Sequence, residues 1–424
     1  MKTAALTISL LTVSLSTTVT AQETITLSDC HRQAVENAPR LKDREAIRQI
    51  GELNIGQAKT GWYPSLELNG KVSYQSDVVT VALTDPTIPV AFPEVPHDQY
   101  GVNLDVRQTL YDGGINRQVR AVEQANTAAD LQQVEVDLYG LKSRVNQYYF
   151  AILVLQENRK NLVIHMENLE ARKGSVTAAI EHGILLEAEL KVIDVEILRV
   201  RQSMVEVVAR KKSFIDALNV LCGTQFPDVV SLILPLPEGI ETVEANRPEH
   251  RLFELKDASM EAGKELLGKK RMPQLFAFGQ TGYGKPGYNM MNSGWDFYYM
   301  VGAGFKWNIW DWNSTSREKQ VIENRRQVLQ NQRASFDREI HSLMVQEEAK
   351  IGQYRQTMEL EEQVLLLQEE ISAHAATKLS NGTITATEYI TELNKESLSR
   401  ISLATHEILL QQSITNYLTI QGNL

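Results

Sequence analysis

Residues Leu186, Leu190, Ile193, Ile197, Val200, Met204, Val207, Lys211, Phe214, Leu218 and Leu221 alternate spacings of four and three, and only Lys211 is polar. An apolar period of 3.5 predicts a helix packed along its whole length, with a left-handed coiled coil as the limiting form. Upstream the period changes to two. Leu66, Leu68, Val72 and Tyr74 share one face, whereas Glu67, Asn69, Lys71 and Gln75 share the other. Tyr100, Val102, Leu104, Val106 and Leu110 then alternate with Asn103, Asp105, Arg107 and Thr109. Alternation sustained over about ten residues is the pattern of a barrel strand. It predicts strands at about 65–76 and 99–110, and again at about 274–284 and 296–309. The third of these is less regular, because Leu275, Phe276, Ala277 and Phe278 are apolar on both faces. The fourth presents Val301, Ala303, Phe305, Trp307 and Ile309 on one face.

Proline placement separates these regions. No proline falls between His97 and Phe226 or after Gly287. Interior proline breaks helices, so both windows are free to be helical, and both are rich in good helix formers. Gly183 and Gly382 sit near their middles and predict tight turns between helices, where glycine supplies the left-handed conformation. The expected hairpins run from about 113 to 222 and from about 312 to 422, and a further helix is expected over about 28–62.

The landmarks recur. Pro39 and Pro64 have partners at Pro248 and Pro273 (248 − 39 = 209; 273 − 64 = 209). Tyr111, Gly183 and Gly223 have partners at Trp310, Gly382 and Gly422 (310 − 111 = 199; 382 − 183 = 199; 422 − 223 = 199). The chain is therefore one supersecondary unit written twice, with a longer loop in the first copy. The expected organisation is a signal segment at 1–21, a first repeat at 22–223, a joining segment at 224–248 and a second repeat at 249–424.

Four strands cannot close a barrel. The smallest outer-membrane barrels have about eight, and open edges are not tolerated in lipid. Copies of the chain must pool their strands; a dimer would supply eight and a trimer twelve. All five tryptophans lie in or beside the strands, with Trp62, Tyr63, Trp295, Trp307 and Trp312 as candidate interface aromatics. A soluble sandwich core would also use aromatics, but the strand faces opposite the apolar ones are strongly polar. At ~1.5 Å per residue the first arm of the first hairpin would span roughly 105 Å, giving a helical cylinder roughly that long beside the strands.

Net charge is −10 with both signs interspersed, so the basic stripe of a nucleic-acid binder is missing. Lys2, an apolar stretch from Ala4 to Leu15 and Val19-Thr20-Ala21 read as a secretory signal cleaved after Ala21. No later run is apolar enough for a transmembrane helix. Cys30 and Cys222, the two cysteines, read either as buried free thiols or as a periplasmic disulfide. The eight histidines lack ligand spacing, and Met290 and Met291 read as loop. No metal, cofactor or catalytic signature is present.

Taken in order, Lys59-Thr-Gly-Trp-Tyr-Pro64, Gln108-Thr-Leu-Tyr-Asp-Gly-Gly114, Gly183 with Glu189-Leu190, Lys270-Arg-Met-Pro273, Trp310-Asp-Trp-Asn313 and Gly382 with Glu388 resemble the TolC-type outer-membrane efflux proteins over essentially all of residues 23–423. The resemblance implies a mainly α protein with β: duplicated long hairpins forming a periplasmic α-barrel, and four strands per chain in a trimeric, twelve-stranded transmembrane β-barrel. It implies a homotrimer in outer-membrane lipid. It also implies hairpin tips, here His182, Gly183, Ile184, Leu185, Asn381, Gly382 and Thr383, that dock a periplasmic adaptor joined to an inner-membrane transporter. An acidic ring at the entrance maps to Glu388. Where some relatives carry a second acid this chain has Thr391, with Glu392 next to it. Pro64, Pro273, Tyr111 and Trp310 fall at the strand–helix junctions. The expected function is a passive exit duct for small molecules. A type I protein-secretion duct is the nearer alternative, and a periplasmic coiled-coil adaptor or scaffold the more distant one.

Overall fold

The computed structural model describes residues 24–79, 95–227, 231–236, 246–289 and 292–424. The signal segment, Met290 and Met291 lie outside the described residues. In chain order the elements are β1 (Thr24–Ile25), α1 (Leu27–Glu36), a 3-10 turn (Pro39–Lys42), α2 (Asp43–Thr60), β2 (Ser65–Tyr74), β3 (Asp98–Tyr111), α3 (Ile115–Glu181), α4 (Glu187–Cys222), β4 (Ser231–Leu232), α5 (Pro248–Lys269), β5 (Gln274–Lys285), β6 (Asp296–Lys306), α6 (Ser314–Ser380) and α7 (Ala386–Gln421).

One expected helix is broken. The stretch 28–62 divides at Pro39 into α1, the 3-10 turn and α2. Proline has no N–H to give to the preceding turn and pushes the residue before it out of the helical region. At the same landmark in the second copy, Pro248 begins α5, where a missing N–H costs nothing.

Two compact units form, and both draw on each repeat. The first comprises the chain up to Ala38, Gly140–Val243 and Leu343–Leu424. Its larger core gathers Cys30 and Ala34 of α1, Val145, Tyr149 and Phe150 of α3, Ile215, Leu218 and Cys222 of α4, and Ile408 of α7. The strands β1 and β4 pair in parallel against it, and the Tyr149 hydroxyl donates to the Ile233 carbonyl at 2.6 Å. A buried polar chain crosses the same region: His31 Nε2 lies 2.8 Å from Asn146 Oδ1, and Asn146 Nδ2 donates to Thr419 Oγ1 at 2.9 Å. Burial holds the His31 imidazole below its ordinary pKa.

The apolar seam of α4 drifts. Ile193, Ile197, Val200 and Leu218 are buried, as the 3.5 period demands. Near the C-terminus, however, Ile215 and Cys222 are buried in place of Phe214 and Leu221, which are half-exposed. From Ile193 to Cys222 is 222 − 193 = 29 residues, about eight turns at ~3.6 residues per turn. That is the period of a straight helix, so this helix drifts out of a strict heptad frame. Leu186, the first residue of the expected seam, precedes the helix as its N-cap and is exposed.

The second unit, Pro39–Tyr139 with Glu244–Ser342, contains a four-stranded antiparallel sheet ordered β2-β3-β5-β6. Beside it α2 joins α3 through Arg40–Asp137 (2.8 Å) and Arg44–Glu135. Likewise α5 joins α6 through Arg326, whose guanidinium holds both Asp257 oxygens (2.7 and 2.8 Å) and Glu261 (2.6 Å).

Candidate channel wall and hairpin ends

The sheet register sorts every strand residue onto one of two faces. Leu68, Leu104, Thr281 and Tyr299 form one cross-strand row, and their face also carries Leu66, Val72, Val102, Val106, Leu275, Tyr283, Phe297, Val301 and Phe305. This apolar face is open to the surroundings; Val72 is 77% exposed and Val301 79%. The other face is polar. Asp105 accepts from Asn69 (2.7 Å), Asn103 (2.5 Å) and Gln280 (2.6 Å). The irregular strand is explained here. Leu275 and Ala277 lie on the apolar face, whereas Phe276 and Phe278 lie on the polar one. There the two rings lie where side chains of Gly304 and Gly302 would otherwise project. Arg107 covers the first ring, its guanidinium 4.0 Å from the Phe276 centroid.

Aromatics mark both rims of the sheet. At one rim Trp295 stacks on Tyr283 (5.3 Å) and Tyr100 (6.0 Å). At the other stand Trp62, Tyr63, Trp307, Trp310 and Trp312; Trp307 Nε1 donates to the Arg271 carbonyl (3.1 Å), and Trp310 meets Trp312 edge-on at 5.8 Å. Pro64 and Pro273 stand immediately before β2 and β5, and Tyr111 closes β3. The ladder of β6 ends at Lys306, so Trp307, Ile309 and Trp310 follow the strand. Alternation records which way side chains face; a ladder also needs a neighbour, and β5 begins opposite Lys306. Both β2 and β6 are sheet edges.

The hairpin ends in the first unit are built alike. Gly183 (φ +73°) donates to the Ile180 carbonyl (2.9 Å) while Ile184 donates to Ala179 (2.8 Å). Gly382 (φ +69°) donates to Leu379 (2.9 Å) while Thr383 donates to Lys378 (3.0 Å). These are two Schellman caps. His182, Ile184, Asn381 and Thr383 are exposed and Leu185 is half-buried. A Cβ at Gly382 would come within 3.2 Å of Ile184 Cγ2, so the two turns touch.

Glu388 closes a capping box. Its Oε2 accepts from the Thr385 N–H (2.8 Å) and hydroxyl (3.0 Å), while Thr385 Oγ1 accepts from the Glu388 N–H (3.2 Å). Those bonds, the backbone N–H first, hold its carboxyl below the ordinary value. The Thr-x-x-Glu spacing carries that signal in the sequence. Glu392 is lowered too, by Lys395 (2.9 Å) and then Gln368 (3.1 Å). The Thr391 hydroxyl turns back to the Thr387 carbonyl at 2.8 Å. Glu388, Thr391 and Glu392 line one groove of about 580 Å³ with Ile371, His374 and Lys378.

Two features escaped sequence reasoning. Glu189 of α4 caps the other hairpin, accepting from the Ala386 N–H at 2.6 Å. Arg172 of α3 likewise donates to the Ala376 carbonyl at 3.2 Å and lies over the Tyr389 ring. Neither contact has a local sequence signal. Among the described residues no group of three His, Cys, Asp or Glu is placed to hold a metal, and no helix is long and apolar enough to cross a membrane.

Residues 31–223 match the model of the outer membrane efflux protein family. In its first repeat the sequence is similar to the outer membrane efflux proteins. The fold is similar to that of VceC, an outer membrane protein of Vibrio cholerae (12% identity; 93% of this chain and 96% of VceC covered; TM-score 0.68). It is also similar to the Campylobacter jejuni outer membrane channel CmeC (15%; 94% and 85%; 0.65) and to the open state of the Neisseria gonorrhoeae outer membrane channel MtrE (14%; 94% and 89%; 0.65). No curated protein matches the sequence.

Proposed function

We propose that this protein is a TolC-type outer-membrane duct of a tripartite efflux system, a passive exit for small toxic molecules. In this proposal three copies join β6 of one to β2 of the next and close a twelve-stranded wall. The apolar face meets lipid, the Asp105 face lines the lumen, and the aromatic rims sit at the two interfaces. The observation that carries the proposal is the sheet itself: two unpaired edges, an apolar face left open and a reverse that carries the Asp105 polar cluster. An edge strand of ten or eleven residues with exposed apolar side chains invites pairing with another chain, and lipid forbids leaving it open.

The chain catalyses nothing in this scheme. A periplasmic adaptor would grip the paired turns around Gly183 and Gly382, and an inner-membrane transporter would supply the energy. Glu388 and Glu392 from three copies would surround the entrance with negative potential and favour cations. The test is purification from outer membranes in detergent. The proposal expects a particle of three chains that conducts ions in planar bilayers, and a deletion strain hypersensitive to drugs or other toxic compounds. A monomer that stays dissolved without detergent would refute it.

A further inference from the structure

The chain has two cysteines, and the fold puts them together. Cys30 on α1 and Cys222 at the end of α4 stand 192 residues apart, yet both are fully buried in one core. Cys222 Sγ lies 3.6 Å from the Cys30 carbonyl oxygen, and the two thiols are within hydrogen-bonding reach of each other. The backbones on both sides are pinned. Asn37 Nδ2, just after α1, donates to the Cys222 carbonyl at 2.8 Å. A Cβ at Gly223 (φ +64°) would approach Asn37 Cβ to 2.7 Å, so the end of α4 sits directly against the end of α1.

We propose that Cys30 and Cys222 are joined by an intrachain disulfide in the exported protein, tying α1 to the end of α4. The proposal rests on export, as the duct assignment requires, because the periplasm is oxidising. The oxidant is a disulfide donor, either an oxidised dithiol protein or a small-molecule disulfide. One cysteine thiolate attacks the donor, forming a mixed disulfide and releasing one donor thiolate. The second cysteine thiolate then attacks the first cysteine's sulfur and expels the other. Two electrons and two protons pass from the pair to the donor, which leaves as a dithiol or two thiols. The hydrogen bond to Cys222 and burial both push the Cys30 thiol up in the packed state. Both side chains are fully buried in the packed core, so the donor reaches them only while that core is open.

The full chain is recovered from washed outer membranes without reductant, denatured and exposed to a thiol-reactive maleimide. The expected result is no labelled cysteine, two after reduction, and a proteolytic map in which the Cys30 and Cys222 peptides are joined until reduced. A cytoplasmic form lacking residues 1–21 labels at both positions directly. Two labelled thiols on outer-membrane protein overturn the disulfide and leave the duct assignment standing. Dimers that dissolve only on reduction overturn it as well, because the bond then joins chains. Absence of the protein from the outer membrane overturns the duct assignment and removes the premise of this bond.

Discussion

Leu68 and Asn69 are neighbours on β2 whose side chains point to opposite faces, and this makes them a matched pair. Leu68 stands in the cross-strand row Leu68–Leu104–Thr281–Tyr299, well inside all four strands. If that face meets lipid, Leu68→Arg puts a charge near the bilayer midplane, which costs ~2–4 kcal/mol in a transmembrane barrel. Per chain this reduces the inserted fraction about thirty- to several-hundredfold, and three copies closing one wall carry the cost three times, ~6–12 kcal/mol. Asn69→Arg adds the same charge one residue away. There the guanidinium stays on the polar face, within reach of the Asp105 carboxylate that Asn69 now contacts at 2.7 Å. The expected change is within ~1 kcal/mol. The assay is the amount of folded, heat-resistant oligomer in outer membranes, followed by urea titration in detergent. Equal losses for the two variants, or a greater loss for Asn69→Arg, would refute the assignment of faces.

Gly113 and Gly183 have nearly the same backbone, φ +71° and +73°, but only Gly113 faces a crowded neighbour, Met272 Cβ. Thermal unfolding should show Gly183→Ala losing ~1–2 kcal/mol from the left-handed backbone alone, and Gly113→Ala clearly more. Arg326→Lys removes the fork that grips both Asp257 oxygens, and chemical denaturation should register about 1 kcal/mol for this half-exposed pair. The Asp257 carboxyl, held low chiefly by Arg326, should titrate nearer its ordinary value in that variant by NMR. Thr385→Ala removes the N-cap of α7 and should cost ~0.5–2 kcal/mol, with faster amide exchange at Glu388. Because folding lowers the Glu388 pKa, its contribution is complete above its unfolded value. It is lost as pH falls through the lower folded one, so exchange protection at the start of α7 should decline from about pH 5 downward.

The features legible in the sequence are those with one local solution. A helix that ends in a left-handed residue almost requires glycine, so Gly183 and Gly382 announce both turns, and Gly223 and Gly422 (φ +64° and +95°) close α4 and α7 in the same way. Where more than one residue type can serve, the signal fades. The paired left-handed residues that lead into α3 are Gly113 and Gly114; 199 positions later the same conformation is held by Trp312 and Asn313 (φ +53° and +61°). What persists is the capping aspartate, Asp112 accepting from the Asn116 N–H and Asp311 from the Thr315 N–H. The break at Pro39 is marked by the proline alone, between helix-forming stretches on both sides. Phe276 and Phe278 look misplaced until Gly302 and Gly304 are known to lie opposite them, and register of that kind is not a local property.

Glu388 shows how a structural role and a functional one can share a residue and still be separated. Both bonds it accepts within the capping box land on Oε2, and they favour the ionised form, so the cap itself keeps a negative charge at the groove it shares with Glu392. Glu388→Ala therefore removes a charge and a helix cap together, and a weaker channel could follow from either loss. Glu388→Gln does not have this ambiguity. A glutamine at the third helical position can still accept from the N-cap N–H, while the charge is gone. If the carboxylates ring the entrance, Glu388→Gln should shift the reversal potential in a salt gradient toward lower cation selectivity, in step with Glu388→Ala, while thermal stability falls only in the alanine variant. An unchanged reversal potential in Glu388→Gln, beside a loss of stability in Glu388→Ala, would leave Glu388 as a cap and remove it from the entrance.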